Sequence, residues 1–287
     1  MAAKSAWRIS QKVLVPLSSL MIIYAFFSVA GYHSPFRKNG QAKLFTTSRL
    51  PSEEHFLNYR KESAPVSIYH LLHVLPAVLW SIAMPLQHVE TLRKKWPLAH
   101  RAAGYAILSL SLVLSMSGYW FFLSKTAYTH ANVFHMHSLK GLGPILRWPT
   151  FELTLWVIAP FYWLTVYKTA VTARARNFAQ HRKWAVLHTI CASFISVERV
   201  TLSLLYGIGY ALSFLPQEKV HEFFGVGHAV QDMAEAELGV FAFANTLSHA
   251  VILSWLAFEC GRAGYLDSVK GYLSSRVNDA AVAKKVQ

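Results

Sequence analysis

The apolar positions of this chain are gathered into long blocks, and the charged residues lie almost entirely between the blocks. A helix needs about 20 mostly apolar residues to cross the hydrocarbon of a bilayer, and each block has about that length. The pattern therefore predicts an all-α, polytopic transmembrane helix bundle. It has six spans, at about 13–31, 66–89, 99–123, 151–172, 184–212 and 237–261.

The charges between the blocks predict the orientation of the bundle. If the N-terminal segment 1–12 is inside, the inner segments hold 17 cations and four acids, whereas the outer segments hold 10 cations and nine acids. Positive charge on the inner loops is the usual signature of membrane orientation. We therefore expect both termini inside, with the first block as a retained signal anchor and with 262–287 as a polar inner tail.

Composition narrows the class of protein further. Only 15% of the residues are charged and 54% are hydrophobic, whereas soluble domains are about a quarter charged. The net charge of +14 is spread over the ends of the blocks, so it lacks the single basic patch that a nucleic-acid-binding protein needs. The expected partner is the lipid bilayer. The plasma membrane, an internal membrane and the mitochondrial inner membrane all stay open, as does any oligomer or redox partner.

Ionisable side chains lie inside several predicted spans, at two depths. They are costly in hydrocarbon, so they normally face the bundle interior and mark a function or an internal partner. Glu198 and Arg199 are adjacent and about 100° apart around a helix, so they need not pair with each other. At about 1.5 Å per residue, the outer level holds His70, His73, Glu198 and Arg199, and the inner level holds His88, His100, His181 and His188, with His249 nearer the middle.

These positions supply the candidate site residues. The candidate cofactor ligands are His73, His88, His100, His181, His188 and His249. The candidate ligand-binding or charge-pairing residues are His70, Gln87, Arg101, Arg182, Glu198 and Arg199. Histidines at span ends also occur simply as interfacial side chains. The histidines of the outer loop, His130, His135 and His137, resemble a metal cluster, but surface histidine runs often bind metal adventitiously, and we assign them no role.

A set of mostly polar residues is distributed along predicted spans two to five. Its members are His73, Gln87, Arg93, Pro97, His100, Arg101, Gly104, His181, Arg182, Lys183, Trp184 and Arg199. The set resembles an uncharacterised family of multi-pass membrane proteins of bacteria and fungi, a domain of unknown function. That family has a histidine and a glutamine on one helix, an HR-x-x-G turn, an HRRW motif and a downstream arginine. The resemblance covers about residues 68–205, with Lys183 in place of the second arginine. It implies a multi-pass fold and site positions at His73, Gln87, His100, Arg101, His181, Arg182 and Arg199, and it implies no activity.

Two functions follow from these residues. The first is a b-type haem protein that moves electrons across the bilayer, because facing histidines on different helices hold haem in such bundles. The second is a transporter or receptor for a small anionic or lipid-like ligand. In it Arg199 and the outer histidines bind the ligand, and the inner His-Arg pairs couple protons. A membrane zinc hydrolase and a scaffold role are weaker alternatives, and the sequence leaves open whether the protein is an enzyme.

Overall fold

The computed structural model describes residues 13–24, 64–127, 130, 132–143, 145–262 and 264. They form an all-α bundle, as predicted. Four helical stretches are long and apolar enough to cross a membrane: Ser67–Gln87, Pro97–Leu123, Phe178–Leu212 and Asp232–Arg262. The chain therefore has the helices of a membrane protein. The predictions for 1–12, for 25–31 and for most of the tail lie outside the described residues.

The remaining two predicted spans are also helical, but they are less apolar or shorter. The fourth is a helix over Phe151–Arg174, whose aromatic and polar side chains leave it outside that group of four. The first is a short apolar helix over Val13–Tyr24. The helices in chain order are α1 Val13–Tyr24, a π-helical segment Ser67–Val74, α2 Leu75–Gln87, α3 Glu90–Lys95, α4 Pro97–Leu123, α5 Phe151–Arg174, α6 Phe178–Ala192, α7 Phe194–Leu212, α8 Gln217–Phe224 and α9 Val230–Arg262.

Two of the long helical stretches are irregular. The stretch before α2 is a π-helix over Ser67–Val74, a form that is rare and is often found at functional sites. It ends next to Pro76, which has no backbone N–H to offer to the preceding turn. The fifth predicted span consists of α6 and α7, which are separated by a one-residue turn at Ser193. The hydroxyl of Ser193 donates a hydrogen bond to the carbonyl of Thr189.

The helices bury one face and expose the other. Ile158, Leu187, Ile190 and Phe194 belong to the largest buried apolar cluster, which joins α5, α6, α7 and α9. On α2, Trp80 is buried at 6% exposed, whereas leucines on its other sides are 45–49% exposed. A soluble protein rarely leaves such a continuous apolar surface in water. The exposed leucines therefore fit contact with lipid chains.

The two ends of the bundle differ in structure. The basic end carries α3 and the turn at Ala175–Asn177. The cap end carries α8 and a hairpin of two short strands, β1 Met136–His137 and β2 Trp148–Pro149, which pair antiparallel. The chain enters α5 from this hairpin through Thr150, whose side chain accepts a hydrogen bond from the backbone N–H of Leu153.

Candidate functional site

A buried ion pair lies in the first two turns of α7. The Nη1 atom of Arg199 is 3.3 Å from each carboxylate oxygen of Glu198. The two side chains are only 12% and 2% exposed. Removing two charges from water costs several kcal/mol per ion, so the pair needs surroundings that compensate for this loss. The sequence predicted both charges at this level, but it did not predict that they contact each other.

Aromatic and acidic side chains from other helices surround the pair. The guanidinium of Arg199 lies over the ring of Tyr24 of α1, 4.8 Å from its centroid. Arg199 also interacts electrostatically with Tyr69 and Tyr206, and Tyr206 interacts with Glu237 of α9. Four helical segments thus meet at one polar position in the cap half of the bundle. We call Tyr24, Tyr69, Glu198, Arg199, Tyr206 and Glu237 the ion-pair site.

The sequence did not identify the tyrosines or Glu237 of this site. Tyrosine near the end of a membrane helix is common as an interfacial anchor, so Tyr24 and Tyr206 carry little signal by themselves. Glu237 lies at the first residue of a predicted span, where an acid is ordinary. Only the packing of α1 and α9 beside α7 brings these groups to Arg199.

His188 of α6 lies at the centre of a closed network of hydrogen bonds. Thr165 donates its hydroxyl proton to the carbonyl of Tyr162, so Thr165 accepts from Nδ1–H of His188 at 3.2 Å. Ser111 accepts from the indole N–H of Trp80 at 2.9 Å, so its own proton points to Nε2 of His188 at 3.0 Å. These partners fix one neutral tautomer of His188, which is 1% exposed.

The other predicted inner histidines also come together at the basic end. His88 interacts electrostatically with His100 and His188, and His100 interacts with His181. Nε2 of His88 is 2.9 Å from the hydroxyl of Thr189. Nδ1–H of His181 donates to a backbone carbonyl of α5 at 3.0 Å. The sequence-based depth estimate therefore grouped residues that the structure places near one another.

The other predicted site residues near the inner histidines are either exposed or packed between helices. Arg101 and Arg182 are exposed at the basic end. Gln87 lies against Gly104, where a β-carbon would be 3.4 Å from the Gln87 amide oxygen. That distance is an ordinary van der Waals contact, so α4 and the glutamine of α2 lie close together here.

The histidines expected at the outer and middle levels have separate surroundings. His73 lies 3.0 Å from the hydroxyl of Ser117, and its ring packs edge-on against Phe121. His70 contacts the ring of Tyr69, 5.0 Å between centroids. His249 of α9 donates through Nδ1 to a carbonyl of its own helix, and its ring packs on a phenylalanine of α7.

Two of the candidate haem ligands, His188 and His88, already have hydrogen-bond partners. Bis-histidine ligation needs two imidazole nitrogens on different helices, facing a gap wide enough for the macrocycle. Both ring nitrogens of His188 are hydrogen-bonded to hydroxyls, and Nε2 of His88 is bonded to Thr189. Ligation to iron would break these bonds in a packed interior. Among the described residues, the group with metal-ligand spacing lies instead at the cap end, and consists of His130, His135 and Glu235.

Comparison with known proteins adds no family. No family model, no curated protein and no solved structure matches this chain. The resemblance to the uncharacterised membrane family therefore stays a prediction.

Proposed function

We propose that the chain is a six-span membrane protein with both termini on the inner face, and that it binds a small organic carboxylate together with a proton, which Glu198 takes up. The excess of cations at the basic end supports this orientation, because positive loops are retained inside. Its six spans comprise the four long helical stretches together with α1 and α5. The ion-pair site lies in the outer half of this arrangement.

The observation that carries the proposal is the position of Glu198 and Arg199 within a membrane-crossing helix. Removing two charges from water is expensive even when they are paired. Ionisable groups at such depth are typical of substrate pathways and proton relays. The tyrosine rings around the pair suit the apolar part of an organic carboxylate.

The proposed mechanism is a competition between two carboxylates for one guanidinium. In the resting state Arg199 pairs with Glu198. When Glu198 takes up a proton it becomes neutral and releases Arg199, which then binds the carboxylate of the ligand through charge-assisted hydrogen bonds. The site contains one positive and one negative charge before and after the exchange. Neither end state therefore buries an uncompensated charge, which would be costly in a medium of low dielectric constant.

Proton uptake on binding tests the proposal. The full chain is placed in nanodiscs in weakly buffered solution with a pH dye, and pH-matched octanoate or inorganic phosphate is added. We expect octanoate to raise the unfolding temperature and to cause uptake of about one proton per chain near neutral pH. Phosphate has no apolar part, so we expect it to cause a smaller rise in unfolding temperature and less proton uptake. Nanodiscs without protein correct for partition of octanoate into lipid.

Variants assign the effect to the pair. Glu198→Gln should still bind octanoate but without proton uptake, and Arg199→Gln should lose binding. The pair formed by Glu259 and Arg262 on α9, with Nη1 and the carboxylate 3.1 Å apart, provides the matched control, because Glu259→Gln and Arg262→Gln should leave uptake unchanged. Octanoate binding that survives Arg199→Gln, or an absence of any octanoate effect on the wild-type protein, would refute the proposal.

A further inference from the structure

The long connection between α4 and α5 is fixed against the beginning of α9. The indole N–H of Trp148 donates to the carbonyl of Gly239 at 2.8 Å. The hydroxyl of Thr150 donates to the carbonyl of Val133 at 2.6 Å. Together with the pairing of β1 and β2, these bonds attach the described part of the connection to the cap end. The side chains of the connection that face α9 are therefore held in place.

Those side chains include three histidines beside a carboxylate. The rings of His130 and His135 are stacked, with 3.9 Å between centroids and 14° between planes, and the ring of His137 is 4.7 Å from that of His135. Glu235 projects from α9 one turn before Gly239, against which the His137 ring lies. One ligand atom from each of His130, His135 and Glu235 lies within 4.8 Å of the others.

His137 provides a second, independent observation. It is only 4% exposed, and its Nε2 atom is buried without a hydrogen-bond partner among the described residues. Buried polar atoms are nearly always satisfied, so such an atom calls for an explanation such as an ion.

We propose that His130, His135 and Glu235 bind one divalent cation of the zinc class, with His137 as the adjacent fourth donor. Imidazole and carboxylate ligands suit Zn²⁺, and two histidines with one carboxylate are a common ligand set for it. Bonds of about 2.0–2.1 Å require the ligand atoms to approach more closely than 4.8 Å, so binding draws the side chains together. The ion then links the α4–α5 connection to α9.

The neighbouring bonds suit such a site. Nδ1 of His130 lies 3.0 Å from the backbone carbonyl of Asn132 and accepts the backbone N–H of the same residue, also at 3.0 Å, so the turn holds this ring in place. The backbone N–H of His135 donates to the same carbonyl at 3.0 Å. The turn at Asn132 thus positions two of the ligands at once.

Zinc binding to the full chain tests the proposal. The protein is purified in detergent without a polyhistidine tag, treated with a chelator, and titrated with Zn²⁺ by calorimetry, with Co²⁺ absorption as a second readout of tetrahedral nitrogen and oxygen ligands. We expect one ion per chain and a rise in unfolding temperature on Zn²⁺ addition. His135→Asn and Glu235→Gln should each weaken binding by at least about tenfold.

The chain offers a matched control in a second histidine pair at the same end. His221 and His228 are stacked, with 4.7 Å between centroids, and His228→Asn should leave zinc affinity unchanged. Equal loss in His228→Asn, or wild-type affinity in both ligand variants, overturns the proposal. Because Glu235 is exposed, Glu235→Gln keeps the test decisive if His135→Asn fails to fold. Arg199→Gln should bind Zn²⁺ normally, which separates this site from the ion-pair site.

Discussion

The hydroxyl oxygen of Ser111 lies 3.0 Å from Nε2 of His188, and it also accepts the indole N–H of Trp80. A single serine on α4 thus satisfies groups on α2 and α6 at once. In a bilayer the lost bonds cannot be replaced by water. The Ser111–His188 contact therefore connects three helices at the centre of the bundle.

Removing this hydroxyl should destabilise the protein measurably. Ser111→Ala leaves the Trp80 N–H and His188 Nε2 buried without their partner, at about 1–3 kcal/mol for each unsatisfied group. Ser109→Ala, at an exposed position two residues earlier on the same helix, should change the free energy of unfolding by less than about 0.5 kcal/mol. Unfolding by SDS titration in mixed micelles compares the two. Equal effects of both substitutions would contradict the network.

Breaking the Glu198–Arg199 pair should cost more than removing both charges together. Arg199→Gln leaves the carboxylate of Glu198 buried without its guanidinium, and such a change typically costs about 3–5 kcal/mol. The double variant Glu198→Gln/Arg199→Gln removes both charges and should recover much of this loss. A double-mutant cycle of unfolding free energies measures the coupling.

The Glu259–Arg262 pair is the reference for that cycle. Its side chains are 9% and 24% exposed, and it lies in the last turns of α9 at the basic end. Solvent reaches this pair more easily, so its coupling should be smaller, at about 1 kcal/mol or less. A larger coupling free energy here than at Glu198–Arg199 would show that burial in the bundle does not determine how strongly the two charges of a pair are coupled.

Two glycines should respond in opposite directions to alanine. Gly225 ends α8 with a φ of +68°, and a β-carbon there would lie 2.9 Å from the side chain of Lys140. Gly225→Ala should therefore destabilise the cap end by about 1–2 kcal/mol. Gly207 lies within α7 with nothing within 4 Å of an added β-carbon, so Gly207→Ala should stabilise by about 0.5–1 kcal/mol. Thermal unfolding of the two glycine variants tests this prediction. Equal shifts of the unfolding temperature would be inconsistent with these backbone conformations.

The absorption spectrum of the purified protein separates the two functions predicted from the sequence. Because the hydroxyl partners of His188 and His88 occupy the nitrogens that haem iron would need, we expect protein absorption without a Soret band. Expression in cells grown with added haem precursor is the control, because it ensures that a missing Soret band is not caused by a shortage of haem. A Soret band with split α and β bands on reduction would restore the electron-transfer hypothesis.

The sequence predicted those parts of the fold that depend on long-range periodicity. Long apolar blocks are sufficient to locate membrane helices, because every backbone polar group in lipid must be satisfied within its own helix. The sequence also grouped His88, His100 and His181 by their distance along the helices, and their electrostatic interactions show that they lie near one another. The same counting could not show that Ser193 divides one span or that a π-helix precedes α2.

The functional partners were harder to predict, for two physical reasons. Serine and threonine in membrane helices commonly hydrogen-bond their own backbone, so Ser111 and Thr165 gave no sign of their contacts with His188. The histidine cluster joins residues about 100 positions apart, His135 and Glu235, which meet only because Trp148 fixes the loop to α9. A pattern of three histidines in a loop cannot reveal a carboxylate supplied by another helix.

Infrared difference spectroscopy of the protein in nanodiscs tests the proton uptake at Glu198 most directly. The octanoate-bound spectrum minus the ligand-free spectrum should contain a positive C=O band of a protonated carboxylic acid, because ligand binding transfers Arg199 from Glu198 to octanoate. That band should vanish in Glu198→Gln and persist in Glu259→Gln. A difference spectrum without the band, or a band that survives Glu198→Gln, would contradict this uptake.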